Sequence, residues 1–237
     1  MSVLKGEGKV PILFGGKTVA SGAVTHETYL ARPDLTGEWP TIVVVPSAWG
    51  VTSSAKDLAR RLARQGLAAV VVDVFRGSPP DRAAAPEEAA AVFGAVPGDR
   101  IRRDLTDVIN YVENRAGFWS NAEDGYAIMG IGGGGFHAAA ASSFTGAALV
   151  LAASPVPEHL SLVTSPILGL FARDDSTIPI DDVMAARSAV PHSEWVLYDN
   201  VGEHFLDDYL DGFAYEAYQD AVERIAAFCE KNLPPAR

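Results

Sequence analysis

The residue types best suited to chemistry surround a glycine-rich turn that covers residues 130–135. An apolar segment precedes the turn and a run of alanines follows it, which predicts a strand, a tight turn and a helix packed closely on a sheet. In a nucleophile elbow, glycines stand two positions before and two positions after the nucleophile, because the turn is cramped. Gly130 and Gly134 occupy those two positions. The central residue is Gly132, which provides no nucleophilic side chain.

The same turn also satisfies the dinucleotide-binding pattern G-x-G-x-x-G, through Gly130, Gly132 and Gly135. That pattern normally opens the first βα unit, and an acidic residue follows about twenty residues later at the end of the next strand. Here the turn opens the third predicted unit, and the next strand ends in Ala152-Ala153-Ser154. The context therefore favours the elbow, and we expect no cofactor.

An acidic residue and a histidine follow two later predicted strands. Asp175 comes after the apolar run 167–171, and His204 comes after the run 195–198. Alone, such an aspartate is often a turn residue and such a histidine is often a surface or core residue. Together they follow the elbow in the order nucleophile, acid, histidine that α/β-hydrolases use. The sequence therefore predicts that His204 is a base and that Asp175 orients it.

With these residues the chain resembles the dienelactone hydrolases, or carboxymethylenebutenolidases, of the α/β-hydrolase superfamily. Members of this family use a Cys-His-Asp triad to open lactones or to cleave small esters. The resemblance implies that Asp175 is the acid, that His204 is the base, and that Gly132 stands in the place of the cysteine. It extends over residues 40–233 and also rests on segments 41–50, 57–66, 72–75, 178–179 and 202–205.

Other positions of the family pattern can be compared in the same way. The first crossover loop of the family usually reads H-E-x-x-G, and its glutamate contacts the thiol, whereas Ser47 replaces that glutamate here. The backbone amides of Ala48 and Gly133 match the oxyanion hole of the family. Some members hold a substrate carboxylate with arginines, for which Arg76 is a displaced candidate. The resemblance thus implies a substrate pocket formed by Trp49, Arg76 and Phe205.

Three interpretations remain open because the nucleophile is absent. His204, oriented by Asp175, can deprotonate a water held in the space of the missing thiol, or a substrate carbon or hydroxyl, for hydrolysis, elimination, isomerisation or cyclisation. Alternatively, Ser47 is a replacement nucleophile. In the third interpretation the protein is a catalytically inactive small-molecule binding protein on the same fold. Retention of both a base and its orienting acid favours an enzyme.

The elements that would position these residues follow from the apolar pattern. Continuous apolar runs alternate with helical patterns, which is typical of strands buried on both faces. We therefore predict an α/β-hydrolase fold with a mostly parallel central sheet and helices on both faces. Residues 10–30, with Gly15-Gly16-Lys17 between two extended stretches, predict an N-terminal antiparallel β-hairpin. The predicted buried strands are 41–45, 67–72, 126–129, 147–151, 167–171 and 195–198.

Helix signals complete the prediction. Ser53 or Ser54 is expected to cap a helix that Gly66 ends, and further helices are expected at 99–116, 179–189 and 213–232. A surface loop leading into a short helix is expected at 78–91. No repeat or linker interrupts the chain, so residues 1–237 are predicted to form a single domain in which residues 1–39 contain the hairpin.

Composition limits the class of partner. The 237 residues contain 19 Lys+Arg and 30 Asp+Glu, a formal net charge of −11, with no cationic cluster to bind nucleic acid or a membrane surface. Cys229 is the one cysteine, which excludes an internal disulfide and a zinc site built on paired cysteines, so no metal is expected. Residues 1–8 carry no apolar signal region, and we expect a cytoplasmic protein that acts on a small molecule. The sequence does not determine the oligomeric state.

Overall fold

A computed structural model describes residues 10–21, 24–114, 118–152, 160–191 and 193–237. The predictions that concern residues 1–8, 115–116 and 153–154 lie outside these ranges. Eight strands form one sheet in the order β1-β2-β4-β3-β5-β6-β7-β8. The strands are β1 Ile12–Ser21, β2 Val24–Pro33, β3 Thr41–Val45, β4 Ala68–Val72, β5 Ala127–Ile131, β6 Ala148–Ala152, β7 Ile167–Asp174 and β8 Glu194–Gly202.

Strand direction divides the sheet into two parts. From β4 to β8 every neighbouring pair is parallel, whereas β1 pairs antiparallel with β2, and β2 pairs antiparallel with β4. The N-terminal hairpin is therefore part of the main sheet. Because parallel strands point the same way, the loops after β3, β5, β7 and β8 all leave the sheet at one edge. This edge carries the predicted site.

Helices cover both faces of the sheet, as the sequence predicts. α1 and α6 enclose one apolar core, while α3, α4 and α5 enclose the other, together with Phe93 from α2. Every residue of β3 and β4 is buried, which explains why their sequences are continuously apolar. The described helices are α1 Ser53–Arg64, α2 Pro86–Gly94, α3 Gly98–Glu113, α4 Gly134–Thr145, α5 Ile180–Ala189 and α6 Tyr215–Asn232.

Two local predictions are corrected. Ser53 and Ser54 do not cap α1, because the hydroxyl of Thr52 accepts the hydrogen bond of the Ala55 amide at 3.1 Å. The glycines at positions 15 and 16 do not form the hairpin turn but lie inside β1, opposite Leu30 and Tyr29. Extended residues on both sides continue the ladder through these glycines, as far as the pair of Ser21 and Val24.

In the part of the chain that the structure describes, we find no helix with the length and hydropathy needed to cross a bilayer.

Candidate active site

The elbow joins β5 to α4, and two of its glycines are required by close packing. A Cβ atom on Gly130 would lie 2.4 Å from the Cα atom of Gly135. A Cβ atom on Gly134 would lie 2.5 Å from the carbonyl oxygens of Val45 and Pro46. Both contacts are with backbone that cannot move aside, so any side chain at these positions would break the turn.

Gly132 differs from these two glycines. It has a φ of +51°, a left-handed conformation that is unfavourable for residues with a Cβ atom. However, among the described residues outside its chain neighbours, a Cβ atom at this position would meet only Ser47, at 3.4 Å from its Cβ and 3.7 Å from its Cα. A side chain at position 132 would therefore have room, and its absence leaves space at the centre of the elbow.

The loop after β7 carries Asp175. Its Oδ1 atom accepts hydrogen bonds from the Thr177 amide (2.8 Å), the Thr177 hydroxyl (2.6 Å) and the Ile178 amide (3.0 Å). These bonds form a local turn in which the aspartate satisfies its own loop. Among the described residues, no hydrogen bond joins Asp175 to His204.

His204 follows β8 and has a φ of +64°. Such a conformation is uncommon outside glycine and is often found at functional sites. The imidazole stands edge-on to Trp49, with the ring centroids 5.5 Å apart. Its Nε2 atom is buried and has no hydrogen-bond partner among the described residues. One ring nitrogen of the predicted base is thus not engaged by the part of the protein that the structure describes.

A different contact joins the loops after β7 and β8. Glu203 accepts hydrogen bonds from both the amide and the hydroxyl of Ser176. Because these residues adjoin Asp175 and His204, the Glu203–Ser176 contact fixes the separation of the two loops. Glu203 is therefore a positioning residue at this edge of the sheet.

A cavity of about 300 Å³ brings most of the predicted residues together. A wider groove of about 760 Å³, near Trp39 and the ends of α1 and α6, contains none of them. Most other side chains around the smaller cavity are apolar, among them Leu58, Ile131, Leu170, Phe171, Ile178 and Leu206. The predicted residues that line it are Ser47, Ala48, Trp49, Gly132, Gly133, Asp175, His204 and Phe205.

Arg76 does not line this cavity. Its guanidinium donates to both carboxylate oxygens of Asp104, at 3.0 and 2.5 Å, and Asp104 is 1% exposed. The side-chain hydrogen bond to Asp104 raises the pKa of Arg76 above its ordinary value. Arg76 is therefore committed to a contact between the loop after β4 and α3.

Arg82, which is absent from the predicted site residues, contacts two residues that line the cavity, Trp49 and Asp207. Its guanidinium pairs with Asp207 and lies over the rings of Tyr209 (4.4 Å) and Trp49 (5.7 Å). Asp207 also accepts a hydrogen bond from buried Ser54, at 2.6 Å. One usable signal was charge complementarity, since a lone arginine in the Pro- and Ala-rich loop 78–91 faces an acidic pair after His204.

The elbow also offers backbone donors. Gly133 is the N-cap residue of α4, so its amide has no partner within the helix. The N-terminus of a helix carries partial positive charge, which stabilises an anion placed beside it. Together with Ala48, which lines the same cavity, Gly133 can face a developing oxyanion.

Two other residues lie outside the cavity lining. His137 packs against Phe93 and Phe136, at ring-centroid distances of 5.9 and 5.3 Å, and burial lowers its pKa. Cys229 lies on α6 with no exposed surface, and burial raises its pKa to about 12. Its thiol is therefore a core group.

Comparison with known sequences identifies relatives over nearly the whole chain. The profile of the dienelactone hydrolase family matches residues 26–233. A protein of Yersinia pestis named "Putative carboxymethylenebutenolidase" is 28% identical over 233 residues, which cover 89% of this chain and 85% of the relative. A protein with the same name from Salmonella typhi is 28% identical over 220 residues, with 83% and 79% covered.

Solved structures share the fold. A chain from Klebsiella pneumoniae named "Putative Dienelactone Hydrolase" superposes with a TM-score of 0.83 at 24% identity, and 93% of this chain and 99% of that one are covered. A dienelactone hydrolase-like promiscuous phosphotriesterase from metagenomic libraries superposes with a TM-score of 0.75 at 18% identity, with 94% and 99% covered. Both confirm the predicted α/β-hydrolase architecture.

Proposed function

This chain belongs to the dienelactone hydrolase family, and on that premise we propose that it hydrolyses a small lactone or ester with His204 as general base. Membership of the family supports a hydrolase-type function on a lactone or ester. The finer proposal concerns the mechanism, since Gly132 leaves the elbow without the nucleophile of the family. Water replaces the nucleophile, and no acyl-enzyme forms.

The proposed reaction uses the groups that surround the cavity. His204 Nε2 removes a proton from a water held beside Gly132, and the resulting hydroxide attacks the carbonyl carbon of the substrate. The amides of Ala48 and Gly133 stabilise the oxyanion of the tetrahedral intermediate. When the intermediate collapses, the protonated His204 returns its proton to the leaving alkoxide, so no proton is gained or lost overall.

One observation carries this proposal: His204, whose Nε2 atom is buried and has no partner among the described residues, lines the same cavity as Gly132. Burying a polar atom without a hydrogen bond costs free energy, so such atoms in native proteins call for an explanation. A nitrogen that receives a proton from bound water is that explanation. The space beside Gly132 provides room for the water.

The cavity also restricts the substrate. At about 300 Å³ it is at the lower end of the range for small-molecule sites. Its apolar lining favours a compact, largely apolar acyl group. Arg82 pairs with Asp207, and Asp175 and Glu203 lie nearby, so the surroundings do not favour a strongly anionic substrate.

The second candidate function is binding without catalysis. The specific observation in its favour is that Asp175 bonds within its own turn, so the histidine lacks the orienting hydrogen bond of a working triad. Under this alternative the protein binds the same class of small molecule and does not turn it over. Product analysis with a panel of small lactones and esters, beside a binding measurement, distinguishes the two functions.

Replacement of Gly132 by Cys or Ser tests the geometry of the site. We expect either variant to form an acyl-enzyme with 4-nitrophenyl acetate, seen as a mass increase of the intact protein, because a side chain at position 132 has room and lines the same cavity as His204. Esterase activity should rise above that of the wild type. A folded variant that is never acylated would show that His204 and the backbone donors do not face position 132.

A further inference from the structure

The space at Gly132 has room for at least one non-hydrogen atom. Among the described residues outside its chain neighbours, a Cβ atom placed there meets only Ser47 within 4 Å, and both contacts are at ordinary van der Waals distances. In the family, a cysteine side chain with two non-hydrogen atoms would occupy this position. By comparison, a water has a share of about 30 Å³ in the liquid and is a single non-hydrogen atom.

The surroundings of this space suit an acyl acceptor. His204 Nε2 is unpartnered and can receive a proton from any small X–H group, not only from water. The amide of Gly133 adjoins the space, because it follows Gly132 in the chain and caps α4. An acyl group in the apolar cavity would therefore have its carbonyl close to whichever molecule stands beside Gly132.

We propose that the space beside Gly132 and His204 is a binding site for a second substrate, a small alcohol or thiol of about two non-hydrogen atoms that accepts the acyl group. This inference rests on the proposed function and deepens it, since the protein would then transfer acyl groups as well as hydrolyse them. Such a molecule occupies the place of the missing cysteine side chain. Its hydroxyl or thiol attacks the acyl carbon, as the cysteine thiol does in the family.

The transfer is balanced in atoms and protons. His204 Nε2 takes the proton of the acceptor, and the acceptor oxygen or sulfur forms a bond to the acyl carbon. The bond between that carbon and the leaving oxygen then breaks, and the leaving alcohol receives the proton from His204. An ester and an alcohol thus yield a new ester and the displaced alcohol, without an oxidant or a metal.

The test uses the whole protein, 4-nitrophenyl acetate as acyl donor, and alcohols of increasing size. Nitrophenol release reports total turnover, and gas chromatography separates the acetate ester of the alcohol from acetate. We expect the ester yield to saturate as the concentration of methanol or ethanol rises. The fraction of product that is ester should be about tenfold or more above the fraction expected from the molar ratio of alcohol to water. With tert-butanol we expect no ester.

Two matched glycine variants locate the effect. Gly132→Ala places a methyl group in the space and should reduce the ester share about tenfold or more. Gly146→Ala introduces a methyl group at a similar left-handed position, with a φ of +75°, open space and a location outside the cavity, and should leave the product ratio unchanged. The alcohol series in the wild type decides the question even if Gly132→Ala fails to fold.

The outcomes separate the two proposals. The acceptor site would be overturned, and the hydrolase function retained, by either of two results. In the first, the ester fraction rises in proportion to the alcohol concentration without saturating. In the second, it does not depend on the size of the alcohol. Failure to release nitrophenol from this donor or from a panel of small lactones, with or without alcohol, would overturn both.

Discussion

Two pairs of histidine and aspartate in this protein are built in opposite ways. His26 on β2 is 3% exposed, and its Nε2 atom is 2.7 Å from a carboxylate oxygen of Asp107. Its Nδ1 atom is 3.7 Å from Asp104, which in turn holds Arg76. His204, by contrast, lies at a cavity, and within the described ranges its Nε2 atom is unpartnered and Asp175 bonds only to its own loop.

The difference shows that a close contact between histidine and carboxylate does not by itself indicate catalysis. The cluster of His26, Asp104, Asp107 and Arg76 ties the N-terminal hairpin and the loop after β4 to α3. His26 and Asp104 are buried, and most polar groups of the cluster bond to one another, although His26 Nδ1 makes no hydrogen bond among the described residues. His204 lines a cavity instead, so we expect its unpartnered Nε2 atom, unlike His26 Nδ1, to meet a ligand.

Loss of His204 should have the largest effect on activity. His204→Ala removes the base, and we expect turnover to fall by about 10²- to 10⁴-fold, the usual contribution of a positioned base. Stability should change little, because the ring lies at the cavity. Steady-state kinetics on the most active ester or lactone, with a thermal unfolding curve, measures both quantities.

His26→Ala is the matched control for His204→Ala. It removes a buried hydrogen-bonded ring, so we expect the free energy of unfolding to fall by about 1–3 kcal/mol while turnover by the folded fraction is unchanged. If instead His26→Ala abolished turnover in a well-folded protein, or His204→Ala left turnover intact, the contrast between the two pairs would be wrong. Intact turnover in His204→Ala would leave His204 with a binding or structural role and refute the general-base mechanism.

Asp175→Asn should have the next largest effect. We expect turnover to fall by about 10- to 10²-fold, because a carboxylate near the histidine stabilises the protonated imidazole and favours the correct tautomer. Asparagine retains a carbonyl oxygen that can accept the hydrogen bonds of Thr177 and Ile178, so the fold of the loop should survive. The pH dependence of turnover adds a measurement that a merely structural role would not change. Unchanged activity and pH profile would mean that Asp175 serves its loop alone.

The sequence predicted the sheet and the elbow because each depends on a strong local signal. Apolar runs such as residues 41–45 are required wherever helices cover both faces of a strand. The spacing of Gly130 and Gly134 is imposed by backbone contacts that any side chain would break. These constraints leave few alternative sequences, so the pattern can be recognised without the structure.

Other features depend on partners distant in sequence. Arg76 has the residue type of a substrate-binding arginine, yet its orientation is decided by Asp104, 28 positions later on α3. The Arg82–Asp207 pair joins loops that are 125 positions apart. Likewise, Asp175 can direct its carboxylate toward the amides of its own loop or toward His204. The relative strengths of these hydrogen bonds decide between the two orientations. Spacing along the chain does not determine these choices.

Arg76→Ala should affect stability and leave catalysis nearly unchanged. It leaves the buried Asp104 carboxylate without its main partner, but the arginine side chain is 43% exposed, so we expect the free energy of unfolding to fall by only about 1 kcal/mol. The KM values for a neutral ester and for a matched carboxylate-bearing ester should both remain unchanged. A selective increase in KM for the anionic ester would place Arg76 back among the substrate-binding residues.

Ser47→Ala should have the smallest effect and decides which group attacks the substrate. The Ser47 Cβ atom is 3.4 Å from the position of a Cβ on Gly132, so this serine borders the space of the missing nucleophile. A serine nucleophile, however, requires a base hydrogen-bonded to its hydroxyl, and His204 Nε2 has no such partner. If water attacks, the variant should retain turnover within about threefold, since the base and the backbone donors remain. A fall beyond about 10²-fold, with an acyl group trapped on Ser47 of the wild type by mass spectrometry, would instead identify serine as the nucleophile and overturn the water mechanism.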